Sequence, residues 1–173
     1  MIIEKEIWTK MPRDILYLVG KINLDFKHLI KRIEQGIKIS PNNYKTNVKG
    51  KMTDWEYFNK DSEFLKFIYL INDKLDEIPF IKTYELWQSW GLREDMGDRT
   101  MEHDHEPAYL SGVIYLNDHG QILEFPELKR FVKPEKGKFV LFSSCLKHKA
   151  ARSFFIDPKY AISFNIKMIF NYT

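Results

Sequence analysis

Two kinds of hydrophobic spacing divide the chain, and the change falls near its midpoint. Residues 2–8 (IIEKEIW) alternate well enough to predict a short edge strand. From Ile15 to about Ile33, apolar residues at Leu16, Leu18, Val19, Ile22, Leu29, Ile30 and Ile33 mostly follow helical spacing. They predict a helix with an interruption at Asn23 and Asp25 and a stop at Gly36. Residues 37–60, with Pro41, two adjacent asparagines and Gly50, predict a long loop of the kind that serves as a lid, a binding loop or a plain surface excursion. Asp61 and Ser62 predict the cap of a second helix over 62–76, with Phe64, Leu65, Phe67, Ile68, Leu70, Ile71 and Leu75 on a wide apolar stripe.

Beyond that point the period shortens to two. Strands are predicted at 79–91, 109–116, 121–125, 128–132, 138–144 and 160–170, punctuated by the 117–120 turn, Pro126, Pro134 and Gly137. Helices followed by a series of short strands indicate an α+β, mainly β fold: a double-stranded β-helix (jelly-roll, cupin-like) with N-terminal helices packed on one sheet. The expectation is a single domain over 1–173, with 1–78 as helical N-terminal support and loop and 79–173 as the jelly-roll core. The last strand divides cleanly. Tyr160, Ile162, Phe164 and Ile166 suit a face beneath the helices, while Lys159, Ala161, Ser163 and Asn165 are too small or polar for an ordinary core and suit a functional interior.

Candidate chemistry centres on GDRTMEHDHEPAYLSGVIYLN at 97–117. In an extended segment residues i and i+2 share a face, so His103 and His105 can offer two imidazoles to one ion. His148, at the end of the strand-like run KGKFVLFSSCLKH, is the third. Imidazole suits zinc, copper, iron and nickel, and a site with open positions is characteristic of non-heme iron; three convergent histidines on one Fe(II) are therefore expected. His28 falls in an amphipathic helix and His119 in a turn, and neither is expected to ligate. A Cys145–His148 nucleophile pair lacks an orienting acid, and a buried cysteine is the plainer reading.

Composition narrows the surroundings more than the chemistry. A net charge of +3 spread over 27 basic and 24 acidic residues, with no basic block, argues against nucleic-acid binding. The charged start MIIEKEIWTK argues against a membrane span or signal, and one cysteine argues for a reducing, cytoplasmic setting.

The quoted motifs carry a resemblance. Trp90, GD (97–98), HDHE (103–106), LSGVIYL (110–116), KGKFVLFSSCLKH (136–148) and KYAISFN (159–165) are similar, in order and nearly in spacing, to short bacterial and phage members of the 2-oxoglutarate/Fe(II)-dependent oxygenase superfamily. The resemblance implies His103 as first ligand and His148 as distal ligand. The usual carboxylate position falls on His105, an HxH in place of HxD, with Asp104 or Glu106 as the alternative carboxylate ligand. It further implies Lys159, in place of an arginine, and Tyr115 as contacts for the co-substrate's distal carboxylate, with Ser163 beside them and Arg152 as a substitute clamp. The implied cofactors are Fe(II), 2-oxoglutarate and O2, with ascorbate as reductant, and the implied activity is hydroxylation of an unidentified oxidisable substrate. A homodimer is compatible with the sequence. Two other readings stay open: a cupin-like metal protein or three-histidine dioxygenase without 2-oxoglutarate, and a non-catalytic β-sandwich binding module.

Overall fold

Side-chain alternation along antiparallel strands builds the architecture, in a computed structural model that describes residues 1–9, 15–39, 46–78 and 84–169, with only the backbone of 5–9. In chain order the elements are β1 (Ile2–Thr9), β2 (Ile15–Lys21), α1 (Phe26–Ile39), β3 (Val48–Lys49), β4 (Lys51–Met52), α2 (Ser62–Asp76) and β5 (Tyr84–Glu94). There follow β6 (Arg99–His103), β7 (Leu110–Tyr115), β8 (Leu123–Phe125), β9 (Arg130–Val132), β10 (Lys138–Ser143), β11 (His148–Ala150) and β12 (Lys159–Met168). Seven strands form one sheet, in the order β1-β2-β10-β7-β12-β5-β4, and five form the other, β3-β6-β11-β8-β9. All the pairings are antiparallel.

Each long strand of the larger sheet faces two cores. One face, with Leu16, Leu18, Ile114, Phe139, Leu141, Ile162 and Phe164, packs against Leu29 and Ile33 of α1 and Phe64, Phe67, Ile68 and Ile71 of α2. The other, with Tyr17, Val19, Trp90, Val113, Tyr115, Val140, Phe142 and Ala161, closes on Leu123, Phe125 and Val132 of the smaller sheet. The division predicted for the last strand is observed: Ile162, Phe164 and Ile166 lie under the helices and Ala161 faces the space between the sheets.

Several expectations for the N-terminal part need correction. Residues 15–21 are strand β2, not helix, and with β1 they place two strands of the large sheet inside the segment expected to be helical support. The cause is burial on both faces: Leu16 to Gly20 are all buried, and a strand apolar on both sides shows no period of two. The helix begins only at Phe26, after the interruption expected at Asn23–Asp25, where the Asp25 carboxylate accepts the His28 backbone N–H at 3.0 Å. Gly36 does not stop it. A Cβ there would lie 2.6 Å from Thr53 Cγ2 and 2.8 Å from Tyr57 Cζ, so glycine marks a close approach inside α1.

The second helix starts where the cap was expected. Asp61 Oδ1 accepts the Glu63 and Phe64 backbone N–H groups at 3.1 Å each. Its Oδ2 takes His28 Nε2 at 3.1 Å and Arg32 Nε at 3.3 Å, which ties α1 to α2 and gives His28 its packing role. Leu70, counted on the apolar stripe, is exposed. Strand boundaries also move. The strand expected at 79–91 runs from Tyr84 to Glu94, with 79–83 outside the described residues, and the last one spans Lys159–Met168. The expected loop contains β3 and β4, apart from residues 40–45, which lie outside the described residues. No helix among the described residues is long and apolar enough to cross a membrane.

Candidate metal centre

Backbone pairing brings the histidines together. His148 opens β11 and is the direct partner of His103, the last residue of β6. It does not end the 138–144 run as expected: β10 stops at Ser143, a turn reverses the chain, and His148 joins the other sheet. His105 lies beyond β6 in a turn, not in a regular strand. Its N–H donates to the Ser144 carbonyl at 2.9 Å and its carbonyl accepts from Ala108 N at 2.9 Å, so the turn before His148 holds the turn that carries His105. The three side chains each place one nitrogen within 4.8 Å of the others, and among the described residues no carboxylate joins the cluster. Asp104 is instead turned to its own backbone, where Oδ1 accepts Glu106 N at 3.3 Å.

Hydrogen bonds decide which nitrogens are free. His103 Nδ1 lies 2.8 Å from the Met101 carbonyl and His148 Nδ1 3.1 Å from the Leu146 carbonyl. A carbonyl can only accept, so both Nδ1 atoms carry the proton and both neutral rings keep a lone pair on Nε2. His148 Nε2 faces His105 Nε2 at 3.3 Å. Burial pushes all three imidazoles toward the neutral form. For His148 it takes the pKa down to about 4, helped by the charge of His103; His105 falls well below the usual value through burial and then the charges of His148 and His103. His103 and His148, neutral and oriented by a carbonyl on the far nitrogen, are suited to bind a divalent cation through Nε2.

Two spaces meet at the cluster. The outer cleft, about 350 Å³, is walled by Trp55, Trp87 and Trp90, with Asn165 and Pro107 beside the histidines. Trp55 packs edge-on against Trp90, centroids 4.8 Å apart, and Trp90 lies 6.1 Å from the His105 ring. Val48 and Met52 bring part of the expected loop into this wall. The inner cavity, about 50 Å³, runs behind the imidazoles between Leu92, Val113 and Leu123, and Tyr115, Lys159 and Ser163 all line it. Arg152 is exposed, as is its neighbour Ala151.

Sequence reasoning missed one functional group here, Glu94. Lys159 faces inward as expected, but Nζ is 2.5 Å from Glu94 Oε2, and the two side chains are 6% and 2% exposed. The Thr100 hydroxyl donates to the other Glu94 oxygen at 3.2 Å. The lysine expected to meet a co-substrate is thus already ion-paired. Gly91, where the strand was expected to end, hid the signal; continuing the alternation three residues puts Glu94 opposite Lys159. His119 is no ligand: Nε2 bonds the Asp157 carbonyl at 3.1 Å and Nδ1 accepts from Gln121 N at 3.1 Å. Cys145 is half-buried rather than buried.

The fold is the double-stranded β-helix of 2-oxoglutarate/Fe(II)-dependent oxygenases. Among solved structures, the viral collagen prolyl hydroxylase vCPH from Paramecium bursaria Chlorella virus-1, in its 2OG complex, superposes with a TM-score of 0.69 at 16% identity, over 87% of this chain and 96% of that one. A Pseudomonas putida prolyl-4-hydroxylase gives 0.69 at 12% identity, over 89% and 93%. HygX from Streptomyces hygroscopicus, with nickel and 2-oxoglutarate bound, gives 0.61 at 13% identity, over 89% and 83%. No family model and no curated protein matches by sequence.

Proposed function

We propose that the chain is a mononuclear non-heme iron oxygenase, most simply a hydroxylase, that consumes 2-oxoglutarate as co-substrate. One observation carries the reading: the unprotonated Nε2 of His148 points at His105 Nε2 across 3.3 Å, with His103 alongside. Three imidazoles, each with a nitrogen within 4.8 Å of the others, make a donor set suited to one divalent cation. His103, His105 and His148 would hold Fe(II) on one side of its shell, and the Met101 and Leu146 carbonyls fix two of the rings. Three neutral ligands leave the ion's charge uncompensated, which favours an anionic chelate such as a 2-oxo acid. Iron with a 2-oxo acid and O2 supplies the oxidising chemistry of this class, with ascorbate as external reductant. Tyr115, Ser163 and Lys159 line the inner end for the co-substrate. Trp55, Trp87 and Trp90 offer the outer cleft to the oxidisable substrate, and Phe125 and Phe142, packed on His148, exclude water from its ring. The deciding experiment is anaerobic Fe(II) loading followed by 2-oxoglutarate and O2. Succinate release that disappears in His103→Ala supports the reading; iron binding without succinate release overturns the 2-oxoglutarate part.

The Glu94–Lys159 pair favours a second reading, a three-histidine dioxygenase that uses no 2-oxoglutarate. Such a protein would bind iron yet gain no further thermal stability from any 2-oxo acid.

A further inference from the structure

The inner cavity ends in an ion pair rather than a free cation. Lys159 and Glu94 are direct partners in the β5–β12 ladder, so their side chains rise together from neighbouring strands into the same space. With Thr100 on its second oxygen, Glu94 is held from three sides: by its own strand, by β12 and by β6. The surrounding wall is apolar, with Leu92, Val113, Leu123 and Ala161, and the carboxylate's charge reaches the Tyr115 hydroxyl, which burial and Glu94 both keep protonated. The floor of this cavity therefore carries one positive and one negative charge and no net charge.

We propose that Glu94 sets the co-substrate selectivity of this cavity: by neutralising Lys159 it removes the preference for a dicarboxylate and opens the site to 2-oxo acids with a short uncharged tail. The inference rests on the oxygenase reading above and refines its co-substrate class. A second carboxylate arriving at this end meets a lysine already engaged and a like charge beside it. Lysine is a compact point charge and lacks the fork with which arginine grips planar anions. An apolar tail meets Leu92, Val113 and Leu123 at no such cost, and a cavity of about 50 Å³ suits a short one.

Calorimetric titration of the anaerobic Fe(II)-loaded protein with 2-oxoglutarate and with 2-oxobutyrate tests this. In the native chain the two dissociation constants are expected within about tenfold of each other, because the charge-assisted contact that would separate them is cancelled. Glu94→Gln frees the lysine and moves the ratio at least about tenfold toward 2-oxoglutarate. Lys159→Met/Glu94→Gln, which removes both charges, returns the ratio to within about threefold of native. A native preference for 2-oxoglutarate above about tenfold, or a ratio that moves less than about tenfold in Glu94→Gln, overturns the proposal while leaving the oxygenase reading intact. If Glu94→Gln does not fold, the double variant decides: a ratio that drops more than about tenfold below native shows Lys159 still attracting the second carboxylate and overturns it. Iron-loaded protein that binds neither acid sinks the oxygenase reading, and this inference with it.

Discussion

His103 and His148 face each other as direct partners in the β6–β11 ladder, with ring centroids 4.4 Å apart. Two of the three imidazoles are thus registered by main-chain pairing, and the third by hydrogen bonds between two turns. A site anchored this way is in place before any ion arrives, so replacing one ring should remove the ion without moving the others. His103→Ala, His105→Ala and His148→Ala should each abolish the rise in melting temperature caused by Fe(II) or Mn(II). In the native chain, ion at a hundredfold over its Kd stabilises by about 2.7 kcal/mol, a shift of roughly 5–10 °C for a chain of this size. Asp104→Asn and Glu106→Gln should keep the shift, since Asp104 bonds its own turn. A shift lost in Asp104→Asn would return the third ligand to a carboxylate.

The clustered histidines also fix a pH window. The His148 pKa falls from 6.5 in the open chain to about 4 in the fold, and His103 and His105 move the same way. The unfolded chain therefore takes up protons first as the pH drops. Stability is full above 6.5 and is lost between 6.5 and about 4, by about 3 kcal/mol for His148 alone. Urea midpoints of metal-free protein at pH 7.5, 5.5 and 4.5 measure this, and His148→Phe should flatten the slope. Metal affinity should fall in the same window, because protons compete for Nε2.

The Lys159–Glu94 pair makes a separate stability prediction. Removing one member leaves the other charged and unpaired where the side chains are 6% and 2% exposed. Lys159→Met alone should cost about 3–5 kcal/mol, and the double change Lys159→Met/Glu94→Gln should recover most of it. A double-variant loss equal to the sum of the losses in Lys159→Met and Glu94→Gln would show the two residues acting independently.

Gly36 sets two effects of opposite sign against each other. Alanine is the better helix former by about 1 kcal/mol. Its Cβ, however, would come within 2.6 Å of Thr53 Cγ2, and overpacking of that kind costs about 1–3 kcal/mol. Packing should win, leaving Gly36→Ala less stable by about 1 kcal/mol in urea denaturation. A more stable variant would mean that the segment after α1 yields easily.

Legibility in the sequence followed the physics of exposure. The last strand and the helix capped by Asp61 could be read because each has an apolar side and a more polar one. The strands at Leu110 and Lys138, buried on both sides, could be read because turn residues at 117–120 and Gly137 delimit short runs. Residues 15–21, buried on both sides, imitated a helix because the length of an apolar run says little about its geometry. The histidines could be found by residue type alone, but the tight turn from Ser143 to His148, which moves the chain between sheets, leaves no periodic trace. Lys159 read correctly as inward-facing; its partner Glu94 did not, since a pairing across a ladder depends on a register that no single strand contains.

Of the four tryptophans in the chain, Trp55, Trp87 and Trp90 ring the mouth of the outer cleft. Ultraviolet emission from this protein consequently reports mainly on the doorway rather than on the bulk of the molecule. Any guest that enters announces itself by dimming or shifting that light, so candidate compounds can be screened unlabelled before any turnover has been seen.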